Sequence, residues 1–158
     1  MYDMTNPIKA LILDFDNTLV LTNKFVHDHI IRTCLRTGIA TPNGKEISAV
    51  LKENLKFEEI FVRLFGENGD KVLDEYRSDA KQHKFEAVPG GPEKMRALHN
   101  LGMKLIIVTN RVNLTLTRLE EAGYKKEWFT SVESTPEGHS KPDALAYENA
   151  LVKLHDLG

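Results

Sequence analysis

The sequence predicts an α/β protein whose parallel sheet is interrupted after its first strand by a block of helices. Three short apolar runs, 8–14, 104–109 and 128–132, are typical of strands that are covered on both faces of a sheet. Helical patterns separate the second run from the third, and strands that alternate with helices in this way form parallel sheets. The segment 20–86, between the first and second runs, contains only helical patterns.

The helical block opens with a regular apolar stripe. Val26, Ile30 and Cys34 recur every four residues, which predicts a helix that ends near Gly38, because glycine commonly follows the last turn of a helix. The remaining helical patterns of the block fill 45–65 and 69–83.

Strand and helix alternate through the second half of the chain. Proline suits the first turn of a helix, and glycine commonly ends one. The predicted elements are, in chain order, a helix from Pro92 to Gly102, the strand 104–109, a helix capped by Asn113 and ended by Gly123, the strand 128–132, and a last helix opened by Pro142. The last helix is expected to bury the face that carries Ala144, Tyr147, Leu151 and Leu154.

Composition and charge exclude several classes of protein. The 158 residues are 41% apolar and 28% charged, which is typical of a packed core. The formal net charge of −2 and the lack of a dense run of Lys and Arg argue against a nucleic-acid partner. No apolar stretch approaches the about 20 residues that span a membrane, and the polar start is unlike a secretory signal. Because the single cysteine, Cys34, fits a reducing compartment, we expect a cytoplasmic protein with no membrane partner.

The most informative residues for function are Asp14 and Asp16, which come directly after the first apolar run. Residues two apart in an extended chain point to the same side, so the two carboxylates can converge on one small volume. Like charges this close repel each other unless a cation compensates them. Mg²⁺ suits such a site because it prefers oxygen ligands and often binds one or two carboxylates together with a substrate phosphate.

Further polar residues are expected at the same edge of the sheet. Thr109 and Asn110 end the second strand, and Lys141 follows the third, and ligands bind outside the carboxyl ends of parallel strands. A hydroxyl, an amide and an ammonium all donate hydrogen bonds to phosphate oxygens. We therefore predict that a small phosphorylated metabolite binds here. Arg111 is expected at the surface.

Three motifs resemble those of one enzyme family. The segment Asp14-Phe15-Asp16-Asn17-Thr18-Leu19 resembles the first motif of the haloacid dehalogenase (HAD) superfamily in its phosphatase form. Ile106-Ile107-Val108-Thr109-Asn110 resembles the second motif, and Lys141-Pro142-Asp143 resembles the third. Three motifs in the family's order are far more specific than any one of them. Together they resemble the phosphoglycolate-phosphatase-like subgroup.

The resemblance implies a fold and a reaction. The fold would be a HAD-like Rossmannoid sheet formed by 1–19 and 87–158, with an all-helical cap at 20–86 that closes over the site. The reaction would be the Mg²⁺-dependent hydrolysis of a small phosphate monoester through an aspartyl-phosphate. A phosphomutase shares all three motifs and stays open as an alternative.

The resemblance also implies a role for each site residue. Asp14 would be the nucleophile and a Mg²⁺ ligand. Asp16 would carry protons as acid and base and would bind Mg²⁺ through its backbone carbonyl. Lys141 would offset the negative charge of the carboxylate and the phosphoryl group. The substrate would be contacted by Thr109, Asn110 and Asn17.

One departure from the family affects the expected core. The family's fourth motif, a glycine-aspartate pair and a further aspartate after a strand beside strand one, is not recognisable before Gly158. We therefore expect a core truncated at its C-terminus, an incomplete Mg²⁺ site, and possible self-association through the open edge of strand one. The alternatives are a fragment of a longer protein, a naturally shortened protein, or a chain completed by a partner. A non-catalytic chain that binds only phosphate or protein also stays open.

The histidines show no spacing that predicts a metal site. His27 and His29 are two apart in a predicted helix, so their rings point to different sides and do not easily chelate one ion. His139 lies near Lys141 and is expected in a surface loop. We therefore assign no function to the histidines from the sequence.

Overall fold

The structure, a computed structural model, describes residues 8–53, 55–111 and 113–156 and divides into two compact units. The first unit comprises the described residues up to Leu21 together with those from Phe85 onward, and the second is Thr22–Lys84. The first unit carries the sheet, and the second is built of helices. No helix within these described ranges combines the length and the apolar character needed to cross a membrane.

The sheet of the first unit has three parallel strands among the described residues, in the order β1-β2-β3. The bounds of the strands are Ala10–Leu13 for β1, Lys104–Thr109 for β2 and Ser131–Ser134 for β3. The central strand β2 is buried from Leu105 to Thr109, as expected for a strand with a neighbour on each side. Because the strands are parallel, their carboxyl ends lie at one edge of the sheet.

The other regular elements of both units are helices. In chain order, the α-helices of the described residues are α1 (Thr22–Thr37), α2 (Gly44–Val50), α3 (Phe57–Phe65), α4 (Gly69–Ala80), α5 (Gly91–Asn100), α6 (Thr115–Glu121) and α7 (Glu148–Asp156). The first four belong to the second unit and the last three to the first. In the first unit, the fully buried Ala150 of α7 packs against Ile106 and Val108 of β2. This contact covers one face of the sheet.

The third strand begins later than the sequence predicts. The aromatic residues of the predicted strand 128–132 favour a strand, but Lys126–Trp128 form a short 3-10 helix instead. The ring of Phe129 lies 6.1 Å from the ring of Tyr124 and is buried in the core. Tertiary packing of the aromatic side chain thus outweighs the local preference for extended backbone, and β3 starts at Ser131.

Two helix starts also differ from the prediction. Asn113 does not cap α6; the residue before the helix is Leu114, with a left-handed φ of 65° and no side-chain cap. The last helix does not open at Pro142, because Asp143 caps a 3-10 helix at Ala144–Tyr147 and α7 begins only at Glu148. Tyr147 and Leu154 of the predicted face pack with Ala150 against β2. Leu151 is 56% exposed, so the predicted face is only partly the buried one.

The second unit is organised around α1 and α4. Ile30 and Cys34 of α1 and Val72 of α4 are fully buried, in agreement with the apolar stripe seen in the sequence. The predicted segment 45–65 consists of two helices, α2 and α3, instead of one. His29 of α1 is also fully buried, and burial lowers its pKa below the usual range of a histidine.

Candidate active site

The chain turns sharply directly after β1. Asp14 and Asp16 flank Phe15, which is fully buried and anchors the turn in the core. Asn17 has a left-handed backbone with a φ of 58°, a conformation that asparagine adopts more readily than most residues. Its backbone N–H donates to the carbonyl of Val20 at 2.8 Å, which closes the turn. The N–H of Asn17 is therefore used inside the loop, so a contact with substrate would have to come from its side chain.

Lys141 connects the end of β1 with the end of β2. Its Nζ donates to Oδ1 of Asp14 and, at 2.9 Å, to the backbone carbonyl of Val108. The backbone N–H of Lys141 donates to Oδ1 of Asn110 at 3.1 Å, so Asn110 holds the loop that presents the lysine. The Lys141 side chain is 18% exposed and that of Asp14 is 45% exposed. The ammonium is therefore largely enclosed, whereas the carboxylate faces solvent.

Arg111 is the partner of the second carboxylate, and its position corrects the expectation that it lies at the surface. Its Nε is 2.8 Å from Oδ1 and 3.1 Å from Oδ2 of Asp16. Its guanidinium carbon lies 5.3 Å from the ring centre of Phe15 and 5.5 Å from that of Phe85, within the range of cation–π contacts. The sequence signal was the position of this arginine two residues after the end of β2, which places it at the same edge as the carboxylates.

Thr109 positions the backbone of Arg111. It is buried at the end of β2, and its Oγ1 accepts a hydrogen bond from the backbone N–H of Arg111 at 3.1 Å. Oγ of Ser134 donates to the carbonyl of Arg111 at 2.8 Å. A hydroxyl that accepts still has its own hydrogen to donate, so Thr109 keeps the capacity to bind a phosphate oxygen.

The sequence predicts that β1 is covered on both faces, but the strand is only partly buried. The arrangement explains how it can end in two like charges. Each carboxylate faces a different cation, Asp14 the ammonium of Lys141 and Asp16 the guanidinium of Arg111. Charged groups that are partly removed from water are tolerated when they are paired in this way. We call this group of residues the strand-end site: Asp14, Asp16, Thr109, Asn110, Arg111 and Lys141.

A buried tyrosine fixes the loop behind the strand-end site. Oη of Tyr124 donates to the carbonyl of Leu19 at 2.7 Å, and the N–H of Val88 donates to the same carbonyl at 2.9 Å. Burial, with a smaller contribution from the charge of Glu93, raises the pKa of Tyr124 to about 12. Only glycine fits at Gly91, because a Cβ there would lie 2.1 Å from Oη of Tyr124. The end of the Asp14–Val20 turn is thus held from the core side.

The fold and the motifs agree with one family. The family model described as Haloacid dehalogenase-like hydrolase matches residues 11–156. The chain belongs to the haloacid dehalogenase-like hydrolase family. This confirms the predicted α/β fold class and the family that the three motifs resemble, and it makes the chain a hydrolase by family. No curated protein sequence matches the chain.

Solved structures share the fold of this hydrolase. YfnB from Bacillus subtilis, bound to magnesium, is 17% identical with a TM-score of 0.71, covering 92% of this chain and 73% of that chain. CbbY from Rhodobacter sphaeroides, in complex with phosphate, is 17% identical with a TM-score of 0.63 and coverages of 94% and 74%. A protein described as a candidate phosphoglycolate phosphatase from Lactobacillus delbrueckii subsp. bulgaricus is 18% identical, with a TM-score of 0.60 and coverages of 96% and 74%. At this identity the likeness shows the fold alone.

Haloacid dehalogenase-like hydrolases generally use Mg²⁺, and the strand-end site has oxygen donors that fit this ion. The Asp14 carboxylate is almost half exposed at the end of β1, so an ion and its bound waters can reach it. Mg²⁺ usually keeps several waters and takes only one or two carboxylates from the protein. Two hard oxygen donors, the Asp14 carboxylate and the Asp16 backbone carbonyl, come from positions two residues apart in one loop. The oxygen donors present at the strand-end site are therefore of the kind that Mg²⁺ binds.

Proposed function

We propose that the chain hydrolyses a small phosphate monoester at the strand-end site, with Mg²⁺ and through an aspartyl-phosphate on Asp14. The observation that supports this most strongly is the contact between Asp14 and Lys141 at the end of two parallel strands. An anionic nucleophile can approach an anionic phosphate only where positive charge is already present. Lys141 supplies that charge from a position fixed by Val108 and Asn110.

The proposed reaction has two chemical steps. In the first, a carboxylate oxygen of Asp14 attacks phosphorus, the bond from phosphorus to the ester oxygen breaks, and Asp16 gives a proton to the departing alkoxide. In the second, Asp16 takes a proton from a water molecule that attacks phosphorus. The bond between phosphorus and Asp14 then breaks, and inorganic phosphate leaves. The carboxylate of Asp14 and the proton on Asp16 are both restored.

Thr109 and Asn110 of the strand-end site, together with Asn17 of the turn after β1, would orient the phosphate. The hydroxyl of Thr109 would donate to one phosphate oxygen, Asn110 would hold the lysine loop, and the side chain of Asn17 would face the substrate. Mg²⁺, held by the Asp14 carboxylate and the Asp16 carbonyl, would supply further positive charge at the phosphate. We further propose that Arg111 leaves Asp16 for the phosphate when substrate binds, because a guanidinium binds phosphate oxygens in a two-pronged geometry and its departure frees Asp16 to carry a proton.

A phosphatase assay with a matched substitution tests this proposal. Phosphate release from p-nitrophenyl phosphate is measured with and without Mg²⁺, for the unsubstituted chain, for Asp14→Asn and for Asp156→Asn, which removes the same charge from an exposed position of α7. We expect Mg²⁺-dependent turnover that falls at least about 1,000-fold in Asp14→Asn, because nucleophile substitutions remove most of the rate enhancement. Asp156→Asn should keep full activity.

Two results would contradict the proposal. Unchanged turnover in Asp14→Asn would remove Asp14 from the reaction. A folded chain that binds phosphate but shows no turnover at all would favour the non-catalytic alternative. Substrate profiling with sugar monophosphates would separate a phosphatase, which releases inorganic phosphate, from a phosphomutase, which returns a phosphorylated isomer.

The proposal extends to domain roles and to assembly. We propose that 1–19 and 87–158 carry the chemistry and that the helical residues 20–86 select the substrate; the division into a sheet unit and a helical unit supports this. The predicted self-association through the edge of β1 stays a prediction. The exposed side chains of Ile8 and Ile12 support it, and size-exclusion chromatography at two concentrations tests it.

A further inference from the structure

The second unit contains a cluster of potential metal ligands that plays no part in the proposed reaction. His29 comes from α1, Asp79 from α4, and His83 from the turn after α4. One ligand atom from each lies within 4.8 Å of the other two. We call these three residues the helical cluster. The fold brings them together from two elements that are distant in sequence.

The contacts within the helical cluster already orient its side chains. Nε2 of His83 lies 3.2 Å from Oδ2 of Asp79, which is four residues earlier in the chain. Nε2 of His29 lies 3.0 Å from the backbone carbonyl of Tyr76, and the rings of the two histidines are 5.0 Å apart. A carbonyl oxygen only accepts, so Nε2 of His29 carries the proton and the lone pair lies on Nδ1. A ring N–H that donates to a backbone carbonyl is the usual way in which proteins orient a metal-binding histidine.

The chemistry of these donors selects one kind of ion. Two imidazoles and one carboxylate are a common ligand set for Zn²⁺, which binds nitrogen and oxygen at about 2.0–2.2 Å. In a four-coordinate site at that distance the ligand atoms lie about 3.3–3.6 Å apart. The ligand atoms of the cluster lie within 4.8 Å of one another, so the side chains have to close by up to about 1.5 Å. The side chains of Asp79 and His83 are 20% and 35% exposed, which gives them room to rotate.

We propose that the helical cluster binds one Zn²⁺ ion through His29, Asp79 and His83, with water as the fourth ligand. The ion would join α1 to the end of α4. This site differs in chemistry from the strand-end site, where the metal ligands would be oxygen atoms and where cationic side chains lie beside the carboxylates. Metal binding to the folded chain alone would also raise its melting temperature.

The positive charge of Arg32 would oppose binding of the ion, and this gives the proposal a further test. Nη2 of Arg32 lies 3.4 Å from Nδ1 of His29, at the long limit for a hydrogen bond. Nε of Arg32 is buried and has no hydrogen-bond partner among the described residues. The guanidinium therefore lies beside the lone pair that the ion needs. Replacing Arg32 with an uncharged residue should strengthen Zn²⁺ binding, because it removes the repulsion between two cations.

Calorimetric titration of the full chain with ZnCl₂, after treatment with a chelator, tests the site. We expect one ion per chain and a loss of affinity of at least about 10-fold in His83→Asn and in Asp79→Asn. Arg32→Met should gain about 10-fold. Co²⁺ titrated in place of Zn²⁺ should give the visible absorption of a four-coordinate site. His29 is left unchanged because its substitution risks unfolding the unit.

The matched control is His139→Asn in the first unit. His139 and Asp143 form a second pair with the same spacing, 2.7 Å apart, but no third ligand joins them among the described residues. Zn²⁺ affinity should be unchanged in this variant. The proposal fails if the chain binds no Zn²⁺, or if His83→Asn and Asp79→Asn keep their circular dichroism spectrum and bind Zn²⁺ as tightly as the unsubstituted chain.

Discussion

The strand-end site and the helical cluster both gather charged and polar side chains from distant parts of the chain, but they balance charge in opposite ways. At the strand-end site each carboxylate meets a cation, Asp14 through Lys141 and Asp16 through Arg111. In the helical cluster the carboxylate of Asp79 lies near two imidazoles, and one of these, that of His29, is fully buried. The first arrangement suits an anionic substrate, because cations are already in place. The second suits a cation, because its donors carry lone pairs.

The two regions also differ in how visible they are in the sequence. The members of the strand-end site directly follow strands or precede a helical segment, and the parallel topology collects such positions at one edge. The helical cluster depends on the pairing of α1 with α4, which no local pattern reports. Its only sequence signal was the spacing of four between Asp79 and His83 in the predicted helical segment 69–83, although α4 ends at Ala80 and His83 lies in the turn after it.

After Asp14→Asn, the largest effect is expected from Lys141→Met, which removes the cation beside the nucleophile. Phosphatase activity should fall about 100- to 1,000-fold, the usual cost of losing one electrostatic contact to the transition state. The free energy of unfolding should change by at most about 1 kcal/mol, because the partner carboxylate of Asp14 is almost half exposed. Activity and urea unfolding of the same preparations measure both.

The matched control for Lys141→Met is Lys153→Met, at an exposed position of α7. It should change neither quantity. If Lys141→Met unfolds the chain instead of inactivating it, the lysine is chiefly structural, and the contrast between a functional edge and its supporting core is lost.

The next effect concerns the core behind the strand-end site. Alanine is a better helix former than glycine by about 1 kcal/mol, yet Gly91→Ala should destabilise the fold by about 1–3 kcal/mol. The reason is that its Cβ would lie 2.1 Å from Oη of Tyr124 and 3.0 Å from Cγ2 of Val88. Tyr124→Phe removes the closest atom, so the double variant should recover part of the loss. Urea unfolding of the four chains gives a coupling of at least about 0.5 kcal/mol; additive effects would show that the helix moves away.

The sequence predicted those parts of the fold whose signals are local. The run 104–109 matches β2, because a strand that is buried on both faces is continuously apolar. The start of β3 was wrong because the aromatic side chain of Phe129 packs into the core at the end of a 3-10 helix. The position of Arg111 two residues after β2 predicts the edge of the sheet at which it lies. It does not predict the contact with Asp16, which is 95 positions away in sequence.

The smallest effect is a decrease in the free energy of unfolding above pH 10. It concerns the core behind the strand-end site and not the helical cluster. The pKa of Tyr124 is about 12 in the folded chain and about 10 when unfolded. The folded chain therefore keeps a proton that the unfolded chain has lost. This stabilisation is complete below pH 10 and disappears as the pH rises from 10 to 12. Tyr124→Phe should flatten that decline and cost at most about 1 kcal/mol at pH 8, because the N–H of Val88 still satisfies the carbonyl of Leu19. Urea unfolding at pH 8, 10 and 11 measures the difference; identical slopes in both chains would place the titrating group elsewhere.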